Sequence, residues 1–462
     1  MRSASTAGRR CRRWAAGAAV ATVATVAAGF VAGCTSGDTD SAGANTPDSL
    51  DAKLAAAFRV DLTAHETTLD YWPANDHVRG AAVLHFEMRP GQSRALFHFN
   101  PSRRLPPGRE REMLTSLQLD GERLDPSDPA DLQIVRTGRA AEPAFEVQRE
   151  LAPDATHELR VRWSSPTPKA PPGWFYPNFD DTVGPRDETE TLWPTISSPE
   201  ELTRHRIRLR VHADRPYTML GSGAIRRTET SGVQTWELDT RRPIASHTVF
   251  FAAIPCHQVR VVSFDAGGVR VRIVSDRSPA VVRRARQVTQ KTIDELTDDF
   301  GPFPMPTMQI LLTGWGSGME YFGATRTGIG SLRHELGHMY FGAATVNRTW
   351  RDTWIDESVV VWWEGHDRHR HSRPLPPWIQ TDIASGRTVV EPGFDLAAYG
   401  LGARVLGQVA HELGGNRQMI AFLADLHRRR AFHPYTTDDL IDDLVATQPT
   451  IDRTQLEHWL FD

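Results

Sequence analysis

The sequence of 462 residues is poor in cysteine, with only Cys11, Cys34 and Cys256. The first two lie within or at the edge of an apolar leader, which leaves Cys256 as the single thiol in the rest of the chain. One thiol excludes both a disulfide framework and a zinc site built from several thiolates. Any metal ion in the body must therefore be held by histidine and carboxylate side chains.

The chain also lacks a large excess of charge of either sign. Lys and Arg number 53, Asp and Glu number 57, and the formal net charge is −4 at pH 7. Nucleic-acid-binding domains carry a basic face or stripe, so we predict no nucleic-acid partner. The charged fraction of 24% is that of a globular protein, and the length indicates two or three domains.

The N-terminal segment has the pattern of an export signal. Residues 1–13 are basic, residues 14–33 are apolar and uncharged, and Val31–Cys34 (VAGC) resembles the bacterial lipobox. We therefore predict a lipoprotein signal peptide over 1–33 and lipidation of Cys34, which would hold the body outside the cytoplasm on a bacterial cell membrane. The alternative is an uncleaved membrane anchor, because about twenty apolar residues can span a bilayer.

Behind the leader, three changes of pattern divide the chain. Residues 34–50 are small and polar, which predicts a flexible tether. Over 51–267 short runs alternate apolar and polar residues between turns, as in His205–Val211 (HRIRLRV), which predicts an antiparallel β domain. Apolar residues at helical spacing follow from Ser278 to Phe300. We predict a second, α/β-to-helical domain over 268–462, and hence a multidomain α+β fold.

An H-E-x-x-H motif formed by His334, Glu335 and His338 is the strongest chemical signal. On a helix capped by Ser331, residues four apart share a face, so both imidazoles can point at one ion. Zinc needs a third protein ligand and an open position, and Glu357 follows His338 by 19 residues. We predict one Zn²⁺ bound by the two histidines and Glu357, with Glu335 as general base. The alternative is two exposed histidines and an unrelated surface glutamate.

The segments His334–Gly342 (HELGHMYFG) and Trp354–Glu364 (WIDESVVVWWE) together resemble the aminopeptidase N family of zinc metallopeptidases. Eighteen residues separate His338 from Glu357, as in that family, whereas thermolysin-like peptidases use one residue more. The resemblance implies a β domain followed by a thermolysin-like catalytic domain with peptidase activity on peptides or proteins. It also implies that Glu364 hydrogen-bonds a ligand histidine and fixes its ring.

Two further segments extend the resemblance to the substrate side. Gly318–Tyr321 (GMEY) is similar to the family's G-x-M-E-N, an edge strand whose Glu binds the free α-amine of the substrate. Tyr399 in YGLGA is similar to the Tyr of Y-x-K-G-A, which donates its hydroxyl to the oxyanion. The resemblance thus implies that Glu320, Met319 and Gly318 bind substrate and that Tyr399 is catalytic. An aminopeptidase is the activity expected.

The sequence departs from the family at several points. Leu401 stands where the family has Lys, Tyr321 stands where it has Asn, and the interval from Glu320 to His334 is shorter. The chain would be a short form without the family's large C-terminal helical domain. Two alternatives to an aminopeptidase stay open: an endopeptidase of the same fold, and a non-catalytic surface lipoprotein that binds zinc or peptide. The sequence does not predict the oligomeric state.

Overall fold

In the computed structural model, the residues described are 59–99, 110–137, 142–153, 155–167, 170–177, 192–196, 199–314, 316–366, 383–384 and 396–461. The chain divides into two units, Met1–Asn45 and Thr46–Asp462. The predicted signal peptide, tether and lipidation site Cys34 lie outside the described residues. Within the described ranges, no helix combines the length and the apolar character needed to cross a membrane.

Antiparallel strands dominate the region before residue 260. An eight-stranded sheet has the order β12-β13-β10-β1-β2-β8-β4-β5, in which β1 and β10 are parallel neighbours. A three-stranded sheet (β3-β7-β6) and two strand pairs (β11-β15 and β14-β9) accompany it. The strands are β1 (Val60–Trp72), β2 (His77–Met88), β3 (Leu96–His98), β4 (Leu114–Leu119), β5 (Glu122–Leu124), β6 (Leu132–Thr137), β7 (Glu142–Val147), β8 (Thr156–Pro166), β9 (Leu202–Thr203), β10 (His205–His212), β11 (Tyr217–Gly221), β12 (Ala224–Thr230), β13 (Val233–Asp239), β14 (Ile244–Ala245) and β15 (Phe251–Pro255).

Strand β10 shows how the alternating pattern sets the eight-stranded sheet. Ile207 and Leu209 are buried in the core, whereas the alternating Arg206, Arg208 and Arg210 are exposed. Side chains on a strand point alternately to opposite faces, so one face packs and the other meets water. Each fully buried aliphatic side chain contributes about 1.5–3 kcal/mol to that packing.

A second sheet of five strands carries the elements nearest the candidate site. Its order is β16-β17-β18-β20-β19, which places β19 at an edge. The strands are β16 (Arg260–Ala266), β17 (Val269–Ser275), β18 (Thr307–Leu312), β19 (Gly318–Tyr321) and β20 (Ala324–Thr327). The division predicted between 267 and 268 falls in the turn of the β16-β17 hairpin, and both strands belong to this sheet. The division into two domains at this point stays a prediction.

Helices follow the second sheet, as the spacing of apolar residues predicts. Ser278 stands at the N-cap of the first one, and Gly301 ends it with a left-handed φ of 92°. The α-helices are α1 (Pro279–Phe300), α2 (Leu332–Gly337), α3 (Trp354–Gly365), α4 (Ala403–Glu412), α5 (Asn416–Arg430), α6 (Thr437–Thr447) and α7 (Arg453–Phe461). A π-helix spans Leu396–Gly402, and 3-10 turns span Glu110–Met113, Ser246–Thr248, Cys256–Gln258 and Trp350–Thr353. The multidomain α+β fold class is confirmed.

Candidate metal centre and active site

Helix α2 carries the H-E-x-x-H motif on barely two turns. His334 and Glu335 lie within the helix and His338 is its C-cap. Leu332 and Leu336 are fully buried and hold the helix against the core. The predicted side-chain cap is wrong, because Ser331 makes no capping hydrogen bond and its hydroxyl instead contacts that of Thr327 at 3.0 Å. Packing rather than capping therefore fixes the position of α2.

The structure brings His334, His338 and Glu357 together, although Glu357 comes from the separate helix α3. The two Nε2 atoms of the histidines are 3.0 Å apart. Glu357 Oε2 lies 3.1 Å from the Nε2 of His334 and 3.3 Å from that of His338. Three potential ligand atoms thus face one common point, on side chains that are buried or nearly so.

The outer nitrogen of each ring shows which way the lone pairs point. His338 Nδ1 lies 3.1 Å from the carbonyl oxygen of Phe341, which only accepts, so Nδ1 carries the proton. His334 Nδ1 lies 3.2 Å from Oε2 of Glu364, the contact expected from the sequence. In the neutral imidazoles both Nε2 atoms therefore present lone pairs to each other and to a carboxylate. A positive charge between these atoms, either a proton on a ring or a metal ion, relieves this repulsion.

The spacing of these atoms also suits zinc. Bonds of about 2.0–2.1 Å in a tetrahedral site separate neighbouring ligand atoms by about 3.3 Å. The three distances here, 3.0, 3.1 and 3.3 Å, lie close to that value. Two imidazoles and one carboxylate with a fourth position open to solvent are also the ligand set of a catalytic zinc site. His334, His338 and Glu357 therefore fit one Zn²⁺.

Electrostatics in the cluster favour positive charge at the same point. Burial opposes protonation of His334, but hydrogen bonds to Glu357 and Glu364 outweigh it and raise its pKa to about 10. Burial likewise opposes protonation of His338, yet the charges of Glu357 and Glu320 raise its pKa well above the usual value. The carboxylates thus overcome the cost of desolvation at both rings. A divalent cation bound between the rings would supply the positive charge that these carboxylates favour.

Glu335 lies beside this cluster and against the edge strand β19. Its side chain is buried. Burial, together with the charge of Glu320, raises the pKa of Glu335 to about 8. A Cβ placed on Gly318 would lie 2.1 Å from Glu335 Oε1, so only glycine lets the strand approach this closely. The predicted substrate residue Gly318 thus has a steric role that follows from Glu335.

Strand β19 presents the other two predicted substrate residues. Glu320 and Met319 are half-buried, and Met319 packs beside a cluster of aromatic and aliphatic side chains. A carboxylate oxygen of Glu320 lies within 4.8 Å of polar atoms of both His338 and Asp356. Burial raises the pKa of Glu320, so its carboxylate is stabilised by a positive partner.

Asp356 is a buried member of the site that the sequence analysis missed. Its Oδ1 accepts the backbone N–H of Glu357 at 2.8 Å. A Cβ placed on Gly342 would lie 3.1 Å from Asp356 Oδ2 and 3.3 Å from His338 Nδ1, so this acid reaches the back of the histidine ring. The available signal was an acid immediately before Glu357, in the first turn of α3.

Tyr399 reaches the cluster from the π-helix Leu396–Gly402. Its hydroxyl donates to Glu357 Oε1 at 2.6 Å, and its ring stacks on His334 with centroids 5.8 Å apart. A Cβ placed on Gly402 would lie 1.9 Å from Ser358 Oγ, so the π-helix rests directly on α3. Leu401 packs half-buried against the core. The widened turn thus directs Tyr399 inward, as π-turns at functional sites often do.

Several solved structures share this architecture. An M1 zinc metallopeptidase from Deinococcus radiodurans has a TM-score of 0.66 and 20% identity over 87% of this chain and 94% of that one. A mutant of it bound to a Tyr-Ser-Ala substrate gives the same TM-score, identity and coverage. Legionella pneumophila aminopeptidase A in complex with aspartic acid has a TM-score of 0.69 and 12% identity over 87% of this chain and 49% of that one.

The chain has the fold of the M1 zinc metallopeptidases. No protein-family model matches the sequence. At identities of 12% and 20%, the M1 likeness establishes architecture, and the roles of individual residues depend on the geometry of this chain.

Proposed function

We propose that the protein is a zinc-dependent metallopeptidase, and specifically an aminopeptidase. The observation that carries the proposal is the convergence of His334 Nε2, His338 Nε2 and Glu357 Oε2 within 3.3 Å of one another, with buried Glu335 next in sequence to His334. A structural metal site has no use for a base beside an open position. The M1 fold supports the same reaction class by analogy.

Each remaining residue has a task in hydrolysis. When bound, Zn²⁺ would act as a Lewis acid that makes hydroxide available near neutral pH. Glu335 takes the proton of the attacking water and later delivers one to the leaving amine. The Tyr399 hydroxyl, which donates to Glu357 Oε1 without substrate, would turn its hydrogen bond to the developing oxyanion, a contribution of about 3 kcal/mol in comparable enzymes. Glu364 orients His334 through its 3.2 Å contact.

Glu320 decides between an exopeptidase and an endopeptidase. Its carboxylate lies on the edge strand, two residues from Gly318, which touches Glu335. A positively charged α-amine held there would place the first peptide carbonyl near Glu335 and the metal ligands. We therefore propose that free N-terminal residues are removed from peptides. The mutant metallopeptidase from Deinococcus radiodurans was solved with a short peptide of this kind, the tripeptide Tyr-Ser-Ala.

We further propose that the protein works outside the cytoplasm, attached to a bacterial cell membrane through lipid on Cys34. The basic and apolar leader and the lipobox-like VAGC support this placement. Peptides or proteins at the cell surface would then be its substrates.

The deciding experiment compares the zinc-loaded protein with Glu335→Gln on an aminoacyl reporter, with and without chelator. We expect turnover in the parent protein, its loss with chelator, and a fall of at least about a thousandfold in Glu335→Gln, because the base is removed. Zinc content measured on the same samples should be equal, since Glu335 is not a ligand.

Two results would contradict the proposal in different ways. No chelator-sensitive turnover by the parent protein, on reporters or peptides, would leave a non-catalytic binding protein. Equal cleavage of N-acetylated and unblocked peptides would leave an endopeptidase, because a blocked amine cannot pair with Glu320.

A further inference from the structure

A turn from the β region contacts the edge strand β19 just beyond Glu320. The backbone N–H of Phe322, the residue that follows β19, donates to the carbonyl oxygen of Thr248 at 2.8 Å. Thr248 is the last residue of the 3-10 turn Ser246–Thr248, which comes shortly before strand β15. The protein itself therefore occupies the end of this edge.

The pairing of β19 with β20 shows which backbone groups of β19 point to the open edge. Opposite residues of an antiparallel pair alternately exchange both hydrogen bonds or neither. The N–H of Gly328 donates to the carbonyl of Ser317 at 2.9 Å. Gly318, opposite Thr327, is the next pair along and so does not bond to β20, and Glu320 two residues on does not either. Among the described residues, no backbone group pairs with their outward N–H and C=O groups.

A peptide added to this edge has a fixed length on its amino side. β19 is the last strand of its sheet, and extended peptides commonly add to such an edge. With its α-amine at Glu320 and its first carbonyl near Gly318 and Glu335, the substrate runs antiparallel to β19. Any residue before the amine would have to lie beside Phe322, where Thr248 already lies. The free part of the edge thus holds one residue on the amino side of the cleaved bond.

Buried contacts hold the turn against β19. The hydroxyl of Ser222, which is fully buried, donates to the Thr248 carbonyl at 3.2 Å and accepts the backbone N–H of Phe250 at 3.0 Å. The ring of Phe250 stacks on that of Tyr321 in β19, with centroids 4.4 Å apart. Moving the turn away would leave buried polar groups without partners, which is costly. The turn is therefore a fixed wall rather than a movable cover.

His247, in the middle of the turn, extends this wall toward helix α3. Its ring lies against that of Trp350, with centroids 5.0 Å apart. Trp350 begins the 3-10 turn Trp350–Thr353, which leads directly into α3 and Glu357. The turn Ser246–Thr248 therefore contacts both the strand that carries Glu320 and the segment that precedes the third metal ligand.

We propose that the turn Ser246–Thr248 is a steric stop that admits a single residue on the amino side of the cleaved bond. The inference rests on the proposed aminopeptidase function and deepens it. Exopeptidase specificity then has two separate sources, because Glu320 recognises the charge of the amine and the turn limits the length. Ser222 is a positioning residue, since it acts through Thr248 and does not touch the substrate.

Two neutral reporters separate length from charge. A des-amino acyl reporter lacks the α-amine, whereas an N-acetylaminoacyl reporter with the same side chain is also uncharged but extends past the amine position. With the zinc-loaded full chain, kcat/KM for the des-amino reporter should be at least about a hundredfold higher, since a misplacement of about 1 Å can cost that much. Glu320→Gln should keep this ratio while losing the preference for a free amine. A ratio near one in the parent protein would overturn the inference.

Ser222→Ala loosens the turn and leaves Glu320 unchanged. Loss of one hydrogen bond to the Thr248 carbonyl should lower the ratio about fivefold. The same loss should speed hydrogen exchange at the Phe322 amide, measured by mass spectrometry. Ser263→Ala, at an exposed position on β16, should change neither value. Faster exchange with an unchanged ratio would mean that the turn does not limit the length, and the inference would be wrong.

Binding to the Glu335→Gln protein needs neither turnover nor a change in the turn. The affinity for a des-amino peptide should exceed that for its N-acetylated counterpart, and equal affinities would overturn the inference. If free-amine reporters are cleaved while the neutral pair shows no difference, this inference alone is wrong. If no reporter or peptide is cleaved, the proposed function fails first.

Discussion

The two regions of the molecule bury pairs of histidines in opposite ways. In the β region, His65 on β1 and His205 on the parallel neighbour β10 contact each other through their Nδ1 atoms at 2.9 Å. Their outer nitrogens face hydroxyls, Thr67 at 3.0 Å and Ser246 at 3.5 Å. Burial lowers the pKa of His205 to about 3 and that of His65 well below its usual value.

At the candidate metal centre His334 and His338 are 3.0 Å apart, nearly the same separation, but they face carboxylates. There the pKa of His334 rises to about 10 although burial opposes it. The comparison shows that neither burial nor proximity of two imidazoles indicates a metal site. Acidic partners distinguish the candidate metal centre from the His65–His205 pair, because they turn a pair that excludes positive charge into one that favours it.

The test with the largest expected effect replaces one histidine of each pair in separate variants. His338→Ala leaves two ligand atoms of three, so we expect loss of bound zinc after dialysis and a fall in turnover of at least about a thousandfold. Metal content per chain and the rate on an aminoacyl reporter measure both effects.

The matched control for that exchange is His205→Gln in the β region. It should keep one zinc per chain, since no acid faces this pair among its contacts in the described residues. Zinc retention by His338→Ala, or zinc loss by a folded His205→Gln protein, would break the comparison.

A smaller effect is expected when a carboxylate that is not a ligand is neutralised. Glu364→Gln keeps the shape of the side chain but weakens its 3.2 Å contact with His334 Nδ1. We expect the zinc affinity to fall about tenfold to a hundredfold, as for other partners of ligand histidines. Competition with a chelator of known affinity measures it.

Glu229→Gln, on the exposed strand β12, removes the same charge far from the ligands and should leave the zinc affinity unchanged. Equal affinities in Glu364→Gln and the parent protein would mean that the imidazole is oriented by packing alone.

Local patterns in the sequence predicted the elements and part of the site. Period-two alternation predicts β10, and helical spacing with Gly301 predicts α1, because each depends on neighbours along the chain. The pairing of His334 with His338 is equally local, since four residues make one helical turn. Glu357 was identified by its spacing and by family resemblance, because its approach to His334 depends on how α3 packs.

Contacts that depend on tertiary packing were not predictable in this way. The close contact between Gly318 and Glu335 is made by a strand and a helix. The contact between Arg277 and Gly314 is made by residues 37 positions apart in the sequence. No periodicity encodes such distances. The π-helix that carries Tyr399 was equally unpredictable, because one wide turn leaves no distinct spacing of apolar residues in the sequence. Only Gly402, which lies against Ser358, marks its position.

The smallest expected effect is on the stability of the protein, and it tests whether the histidine pair of the β region is kept neutral. His205 is neutral in the folded state, with a pKa of about 3, but takes up a proton below about pH 6.5 when unfolded. The stability that depends on neutral His205 is therefore fully present above about pH 6.5 and is lost as the pH falls toward 3. Between pH 6.5 and 5 the loss from this one residue is about 2 kcal/mol of unfolding free energy.

Urea unfolding at pH 6.5 and 5, followed by tryptophan fluorescence, measures that loss, with Trp193 only 5.8 Å from the His65 ring. His205→Gln cannot take up this proton, so its unfolding free energy should fall by about 2 kcal/mol less than that of the parent protein. His433→Gln, at an exposed position, should follow the parent protein. If His205→Gln loses as much stability as the parent, the His65–His205 pair is not kept neutral by burial, and the contrast with the metal ligands loses its physical basis.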